Sequence, residues 1–228
     1  MQQPRWKKWL SYLVELHIES ASSEYNPHLY VSLNRGRYQL CTANAVYSFE
    51  ELYDNFFKAF QQINLEALPG KRVLLLGLGL GSIPQMLERF FHKNFDYTAI
   101  EVDESVAYLA SKYILRELYS NIEVICTDAA AFVDQTQETF DLICMDIFLD
   151  DVVPSVFETT AFLEKLKELL NPGGLLLYNR LSVKPTDIAK TRQFFEQDFL
   201  TVFPQGTYLD VQTNWILINN KIELMNGN

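Results

Sequence analysis

Residues 72–82 read RVLLLGLGLGS and decide the fold. The unbroken apolar run predicts a strand buried on both faces of a sheet. Three glycines, Gly77, Gly79 and Gly81, follow within five residues, although the whole chain has only 9 glycines. Glycines after such a strand allow a tight turn and close backbone approach, and the next helix begins with free N–H groups. We therefore predict that these glycines bind a cofactor, although a merely structural turn is the alternative.

A regular alternation of strands and helices continues after this loop. Apolar strand-like runs at DYTAIEV, NIEVICT, DLICMDI and LLLYNR alternate with amphipathic helices such as VAYLASKYILREL and TTAFLEKLKELL. This pattern predicts a parallel sheet covered on both faces. Near the end, TVFPQGTYLD and TNWILINN follow one another without a helix and should pair antiparallel. The prediction is an α/β, Rossmann-like, doubly wound sheet with an antiparallel C-terminal strand.

Acidic residues stand just past the next three strands, where ligands of an open α/β sheet bind. Glu101 ends the second strand, and such a carboxylate accepts two hydrogen bonds from ribose hydroxyls. Asp128, beside Ala129, could accept from an adenine amine or cap the helix that follows, and both roles can hold together. Asp146 ends the fourth strand. A solvated strand end is the structural alternative for each of these acids.

The loop after the fourth strand is acidic as well. It reads DIFLDDVVP and contains Asp150 and Asp151. Carboxylates beside a nucleotide pocket suggest a site for a cationic group, whereas a solvated acidic loop is the alternative.

The first 65 residues differ from the regular part. We predict a small α/β appendage over 1–65 and a cofactor-binding domain over 66–228. Within the appendage we expect a helix over 4–17, a β-hairpin over 28–42 that turns at Asn34-Arg35-Gly36, and a helix over 48–62 that opens with a capping box at Ser48. The aromatic face of the first helix, with Trp6 and Trp9, should pack on the domain or at a homodimer interface rather than on a membrane.

Composition excludes several functions. The chain has 228 residues, 19 basic and 29 acidic, and a net charge of −10, so a nucleic-acid partner is not expected. None of the 3 histidines follows a strand of the sheet, and no GxSxG or P-loop motif occurs. Three cysteines without CxxC spacing give no metal site, and Cys126 and Cys144 lie in apolar runs typical of the core. Because we find no signal peptide or spanning segment, we expect a cytoplasmic protein.

Together these motifs resemble the spermidine synthase-like family of class I S-adenosylmethionine-dependent methyltransferase-fold proteins. VLLLGLGLGS, AIEVDESV, VICTDAAAFV, FDLICMDIF and LLNPGGLLLYN are similar to its successive motifs. The resemblance implies a class I methyltransferase-type fold that binds S-adenosyl-L-methionine or decarboxylated S-adenosylmethionine, with Glu101 on the ribose and Asp128 near the adenine. It also implies Asp146 as the catalytic residue that orients a small, cationic acceptor. Tyr47 would form a wall of the acceptor pocket, and Asp150 or Asp151 a second contact to an amine.

The chain departs from the family where the acceptor amine binds. Leu80 replaces the aspartate of the usual GGGDGG, and DIFLDDVVP replaces the usual D-S/T-S/T-D-P. Cofactor binding therefore carries over and polyamine specificity does not, so we expect putrescine to be a poor substrate. Methyl and aminopropyl transfer both stay open. The alternatives are a non-catalytic cofactor-binding or assembly protein and a nicotinamide-dependent oxidoreductase, which Ser82 disfavours.

Overall fold

A computed structural model describes residues 3–42, 46–149 and 152–221. The strands in these ranges are β1 (Leu16–Ala21), β2 (Leu29–Asn34), β3 (Arg37–Cys41), β4 (Val46–Ser48), β5 (Arg72–Leu76), β6 (Asp96–Glu101), β7 (Asn121–Cys126), β8 (Phe140–Met145), β9 (Leu170–Leu181), β10 (Thr207–Asp210) and β11 (Asn214–Ile218). The helices are α1 (Arg5–Leu10), α2 (Asp54–Phe60), α3 (Ser82–Arg89), α4 (Glu104–Tyr113), α5 (Ala129–Gln135), α6 (Thr160–Glu168), α7 (Pro185–Phe194) and α8 (Leu200–Val202). A π-helical segment, Phe195–Phe199, joins α7 to α8.

Seven strands form the main sheet, in the order β10-β11-β9-β8-β5-β6-β7. The pairs from β9 to β7 are parallel, and β11 lies antiparallel to both β9 and β10. The predicted doubly wound α/β fold with an antiparallel C-terminal pair is confirmed.

Both faces of this sheet are buried, as the apolar runs predict. Along β5, Val73 and Leu75 belong to the core that packs against α2 and α3. Leu74 and Leu76 alternate to the opposite face and join the core under α5 and α6. Such alternation on a doubly covered strand makes both sets of side chains apolar.

The N-terminal strands form a second, four-stranded antiparallel sheet in the order β1-β2-β3-β4. The predicted hairpin is present, with β2 and β3 joined at Arg35 and Gly36, whose φ values are 50° and 74°. One face of this sheet packs on α4 and on Leu80. Leu80 is only 1% exposed, so the residue that replaces the family's aspartate is part of the core.

The predicted helix over 4–17 is wrong beyond its first half. Helix α1 ends at Leu10, and residues from Leu16 onward form β1, which pairs with β2. Ser11 stops the helix at the hairpin turn, because its carbonyl oxygen accepts from Arg35 N and its Oγ accepts from Gly36 N. Strand pairing thus overrides a weak helical pattern. The aromatic face is not packed on the described chain, since Trp6 and Trp9 are 62% and 69% exposed.

The capping box at Ser48 is also wrong. Helix α2 begins at Asp54, six residues later, and Ser48 ends β4 with its Oγ 2.6 Å from Ser82 Oγ. A helix cannot run through Glu50, whose φ of 45° lies in the left-handed region. The buried carboxylate of Glu50 accepts from Tyr38 N and Gln85 Nε2.

Three smaller findings complete the fold. Cys144 is buried as predicted, but Cys126 is exposed, so its assignment to the core is wrong. Within the described ranges no cluster of three or more His, Cys, Asp or Glu side chains could hold a metal ion. A helix long and apolar enough to cross a bilayer is likewise not found among those residues.

Candidate functional site

A cavity of about 710 Å³ opens at the carboxyl ends of the parallel strands, beneath the N-terminal sheet. Its volume suits a small-molecule ligand. Seven of the residues predicted from the sequence line it together: Tyr47, Gly77, Gly79, Glu101, Asp128, Ala129 and Asp146. Six of them come together because they stand at the carboxyl ends of the neighbouring parallel strands β5 to β8, and Tyr47 is contributed by β4 of the N-terminal sheet.

The glycine loop approaches its neighbours too closely for side chains. Gly77 has a φ of 88°, and a Cβ there would lie 2.4 Å from the carbonyl oxygen of Asp146. At Gly79, φ is 53° and a Cβ would lie 3.2 Å from the Ser48 Cβ. Gly81 is placed differently. It precedes α3 with a φ of 89°, a Cβ there would meet Leu115, and it does not line the cavity. Glycine at position 81 therefore allows the positive φ of the turn before α3.

Glu101 is held by the backbone around it. Its carboxylate oxygens accept from Leu78 N at 3.2 Å and from Asp103 N at 3.1 Å. Burial raises the pKa of Glu101, and these hydrogen bonds oppose the rise. A carboxylate has about four acceptor positions, so this one, fixed by two N–H groups, can still accept from a diol.

Asp128 and Ala129 form the edge of the cavity after β7. Asp128 is exposed and caps α5, with Oδ1 accepting from Ala131 N at 2.8 Å. Its other oxygen has no partner among the described residues. Ala129 is buried beside it. The structure thus realises the capping role and leaves an acceptor atom at the cavity edge.

Asp146 is half-buried and lines the cavity. Its backbone N–H donates to the Leu76 carbonyl at 2.8 Å, which continues the pairing of β8 with β5. Burial raises the pKa of Asp146 to about 6, and hydrogen bonds from Asn179 and Tyr53 oppose that rise. At pH 7, about one unit above this pKa, the carboxylate is mostly ionised. A general base works best when its pKa lies near the working pH, as here.

Four residues that the sequence analysis did not identify hold Asp146 in place, two by direct contact and two behind them. Tyr53 Oη and Asn179 Nδ2 donate to its Oδ1 at 3.2 and 2.8 Å. Asn214 Nδ2 donates to Asn179 Oδ1 at 2.9 Å, and Thr213 Oγ1 donates to Asn214 Oδ1 at 2.8 Å. This relay crosses β11, β9 and β8, so only the strand order reveals it. Both hydrogen bonds to Asp146 use Oδ1, which leaves Oδ2 for a ligand.

The N-terminal sheet is fixed over the cavity by a second polar cluster. The Asp103 carboxylate caps α4 and accepts from Ser23 Oγ and Asn26 Nδ2. Tyr47 Oη donates to Asn26 Oδ1 at 3.1 Å, so Tyr47 forms part of the cavity wall. Asp150 and Asp151, predicted as substrate contacts, lie outside the described residues.

The cavity has one sign of charge. All charged side chains that line it in the described ranges are carboxylates: Asp54, Glu101, Asp103, Asp128 and Asp146. A cavity lined by one sign of charge attracts ligands of the opposite sign.

The family model for the spermine/spermidine synthase domain matches residues 58–219, which is most of the chain. The chain belongs to this family. The match spans β5 to β11, and therefore includes the glycine loop, Glu101, Asp128 and Asp146.

Comparisons with individual proteins agree with this membership. The polyamine aminopropyltransferase of Vibrio vulnificus is 29% identical over 115 residues, which cover 49% of this chain and 38% of that protein. A probable spermidine synthase from Corynebacterium glutamicum superposes with a TM-score of 0.69 at 17% identity, over 92% of this chain and 82% of that one. Human methyltransferase-like protein 13, solved with SAH, gives a TM-score of 0.58 at 23% identity, over 72% of this chain and 79% of that one. Both of these solved structures share the fold of this chain.

Proposed function

We propose that this protein transfers the aminopropyl group of decarboxylated S-adenosylmethionine to a small primary amine. The observation that carries the proposal is the charge of the cavity, whose described lining has five carboxylates and no basic side chain. S-adenosylmethionine carries a carboxylate, and the decarboxylated donor does not. Carboxylates repel a further carboxylate and attract ammonium and sulfonium groups, so this lining favours the decarboxylated donor and an amine acceptor.

The residues of the cavity fit such a donor. Glu101 would bind the ribose hydroxyls, and Asp128 would accept from the adenine amine while Ala129 packs beside the ring. Gly77 and Gly79 line the cavity with positive φ values and no side chain, which would let the chain approach the nucleoside closely. The donor supplies an alkyl carbon that is activated for displacement by the adjacent sulfonium.

Asp146 would act on the acceptor. Both hydrogen bonds to Asp146 from the described residues use Oδ1, so its Oδ2 would orient the amine and take up the proton that the amine nitrogen loses as the new C–N bond forms and the C–S bond breaks. Tyr53 and Asn179 keep Oδ1 occupied, so the proton goes to Oδ2. Displacement by a neutral amine needs positioning above all, and the relay from Thr213 to Asp146 provides it.

A competition between donors tests the proposal. The protein is incubated with equal concentrations of S-adenosylmethionine and its decarboxylated form, plus a mixture of primary mono- and diamines. Mass spectrometry then identifies the nucleoside product. We expect 5′-methylthioadenosine and an aminopropylated amine, both lost in the Asp146→Asn variant. S-adenosylhomocysteine with a methylated product would instead establish a methyltransferase, and no product from either donor would support a binding protein.

A further inference from the structure

A strained backbone and a buried carboxylate coincide at Glu50, between β4 and α2. Its φ of 45° lies in the left-handed region, which residues with a Cβ seldom adopt. Glu50 is nevertheless only 8% exposed. A backbone strained in this way persists only when surrounding contacts fix it, and such positions cluster at functional sites. The contacts of Glu50 therefore indicate what its conformation serves.

The Glu50 carboxylate joins two elements of the fold. Its Oε1 accepts from Tyr38 N of β3 at 2.7 Å, and its Oε2 accepts from Gln85 Nε2 of α3 at 2.9 Å. Gln85 is buried, and α3 is the helix that begins directly after the glycine loop. Burial raises the pKa of Glu50, and these two hydrogen bonds oppose the rise. The carboxylate thus ties residue 50 to the helix behind the glycine loop.

Two charged side chains act on the Glu50 carboxylate from one side. Arg37 Nε lies 3.8 Å from Glu50 Oε2 and 2.5 Å from Glu51 Oε1. Glu51 raises the pKa of Glu50 and Arg37 lowers it, both less than burial and the two hydrogen bonds do. Glu51 is therefore a matched control, because it is a neighbouring carboxylate that pairs with the same cation.

The backbone of Glu50 leads to the proposed catalytic site. Its carbonyl accepts from Tyr53 N at 3.3 Å, which closes a turn just before α2. Tyr53 lines the cavity, and its Oη donates to Asp146 Oδ1 at 3.2 Å. This hydrogen bond is one of the two that lower the pKa of Asp146. A chain of contacts therefore runs from α3 through Glu50 and Tyr53 to Asp146.

We infer that Glu50 is a positioning residue, whose carboxylate holds the turn that places Tyr53 against Asp146. This inference rests on the proposed role of Asp146 and adds a residue that acts through Tyr53 rather than on the substrate. Removal of the carboxylate should let the turn relax, because its two hydrogen bonds offset the free-energy cost of the left-handed backbone. Tyr53 Oη would then move away from Asp146, and the pKa of Asp146 should rise.

An NMR titration of Asp146 tests this inference without any substrate. The protein is labelled with carbon-13 at the side-chain carboxyls of aspartate, and the Asp146 signal is assigned by its loss in Asp146→Asn. We expect Glu50→Ala to raise the pKa of Asp146 by about one unit, as Tyr53→Phe should, because each removes the same hydrogen bond to the ionised carboxylate. The double variant should show no further rise.

Three further variants separate positioning from stability. Glu50→Gln should keep the wild-type pKa of Asp146, because its Oε1 can still accept from Tyr38 N and its Nε2 can donate to Gln85 Oε1, which has no partner among the described residues. Glu51→Ala should also leave that pKa unchanged. If Glu50→Ala does not fold, Gln85→Met removes the contact on α3 instead and should raise the pKa of Asp146 in the same direction.

Two results would overturn the inference. The first is an unchanged pKa of Asp146 in Glu50→Ala or, where that variant does not fold, in Gln85→Met. The second is a double variant whose pKa rises by the sum of the two single changes, since Glu50 and Tyr53 would then act independently. The proposed function fails separately: if the pKa values change as expected but no aminopropyl group is transferred, the role of Glu50 stands and the reaction does not. Transfer without these pKa changes gives the reverse outcome.

Discussion

The two halves of the cavity are built in different ways. On the donor side, β5, β6 and β7 each contribute a strand end, and Glu101 accepts from the N–H of Asp103, two residues later, and from that of Leu78, 23 residues earlier in the glycine loop. On the acceptor side, Asp146 depends on Tyr53, 93 residues earlier, and on Asn179, 33 residues later. Glu101 is thus fixed by residues of the motifs that the sequence shows, whereas Asp146 is fixed by residues that carry no such signal. It follows that substitutions in the two halves should affect different steps.

Asp146→Asn should have the largest effect, because it should lower turnover and leave donor affinity nearly unchanged. If Oδ2 takes the proton of the amine, turnover should fall at least about a hundredfold, because a general base typically contributes that much. Donor affinity should stay within about 1 kcal/mol of wild type, since Glu101 and the glycine loop are untouched. Steady-state kinetics and calorimetry measure the two quantities, with the exposed Asp134→Asn as control. Wild-type turnover in Asp146→Asn would remove this residue from the mechanism.

Glu101→Ala should have the opposite signature. Loss of the carboxylate should weaken donor binding by about 1–3 kcal/mol, because the ribose hydroxyls lose a charged partner. Turnover at saturating donor should change much less than the donor affinity. Glu104→Ala, on an exposed neighbour in the first turn of α4, is the matched control. Equal donor affinity in the Glu101 and Glu104 variants would exclude the ribose role.

On the acceptor side, ionisation of the half-buried Asp146 should also lower the free energy of unfolding as the pH rises. The folded pKa of Asp146 is about 6, above its ordinary value of 3.8, so between these values the folded protein keeps a proton that the unfolded chain releases. Its contribution to stability therefore falls as the pH rises through this window and stays lower above it. Asp146→Asn should raise the free energy of unfolding by about 3 kcal/mol at pH 8 and by much less at pH 4. Denaturant melts at both pH values measure this difference; an equal effect at the two would mean that the pKa is not raised.

The smallest expected effect is that of Asn179→Leu on the pKa of Asp146. Asn179 donates to the ionised carboxylate and so lowers the pKa of Asp146; its removal should raise that pKa by about one unit. The acidic limb of the pH profile of kcat/KM should shift upward accordingly. Thr213→Val, two steps further along the relay, should shift it less. A uniform loss of activity with an unmoved limb would indicate a merely structural role for Asn179.

The difference between the halves also explains what the sequence could predict. The sheet, its antiparallel end and the donor-side residues follow from apolar runs and from what stands just past each strand. The relay behind Asp146 carries no such signal, because Asn179 lies within the apolar strand β9 and Asn214 starts another strand. The N-terminal errors have one cause: Ser11 and Glu50 make contacts with the hairpin that end or delay a helix, and propensity does not include such contacts.

The central claim is that a cavity whose charged side chains, among the described residues, are all carboxylates selects a donor without a carboxylate. Parallel calorimetric titrations of the wild-type protein with decarboxylated S-adenosylmethionine and with S-adenosylmethionine test it directly. The account predicts at least about tenfold tighter binding of the decarboxylated donor, a difference of about 1.4 kcal/mol. Equal affinity, or tighter binding of S-adenosylmethionine, would contradict it.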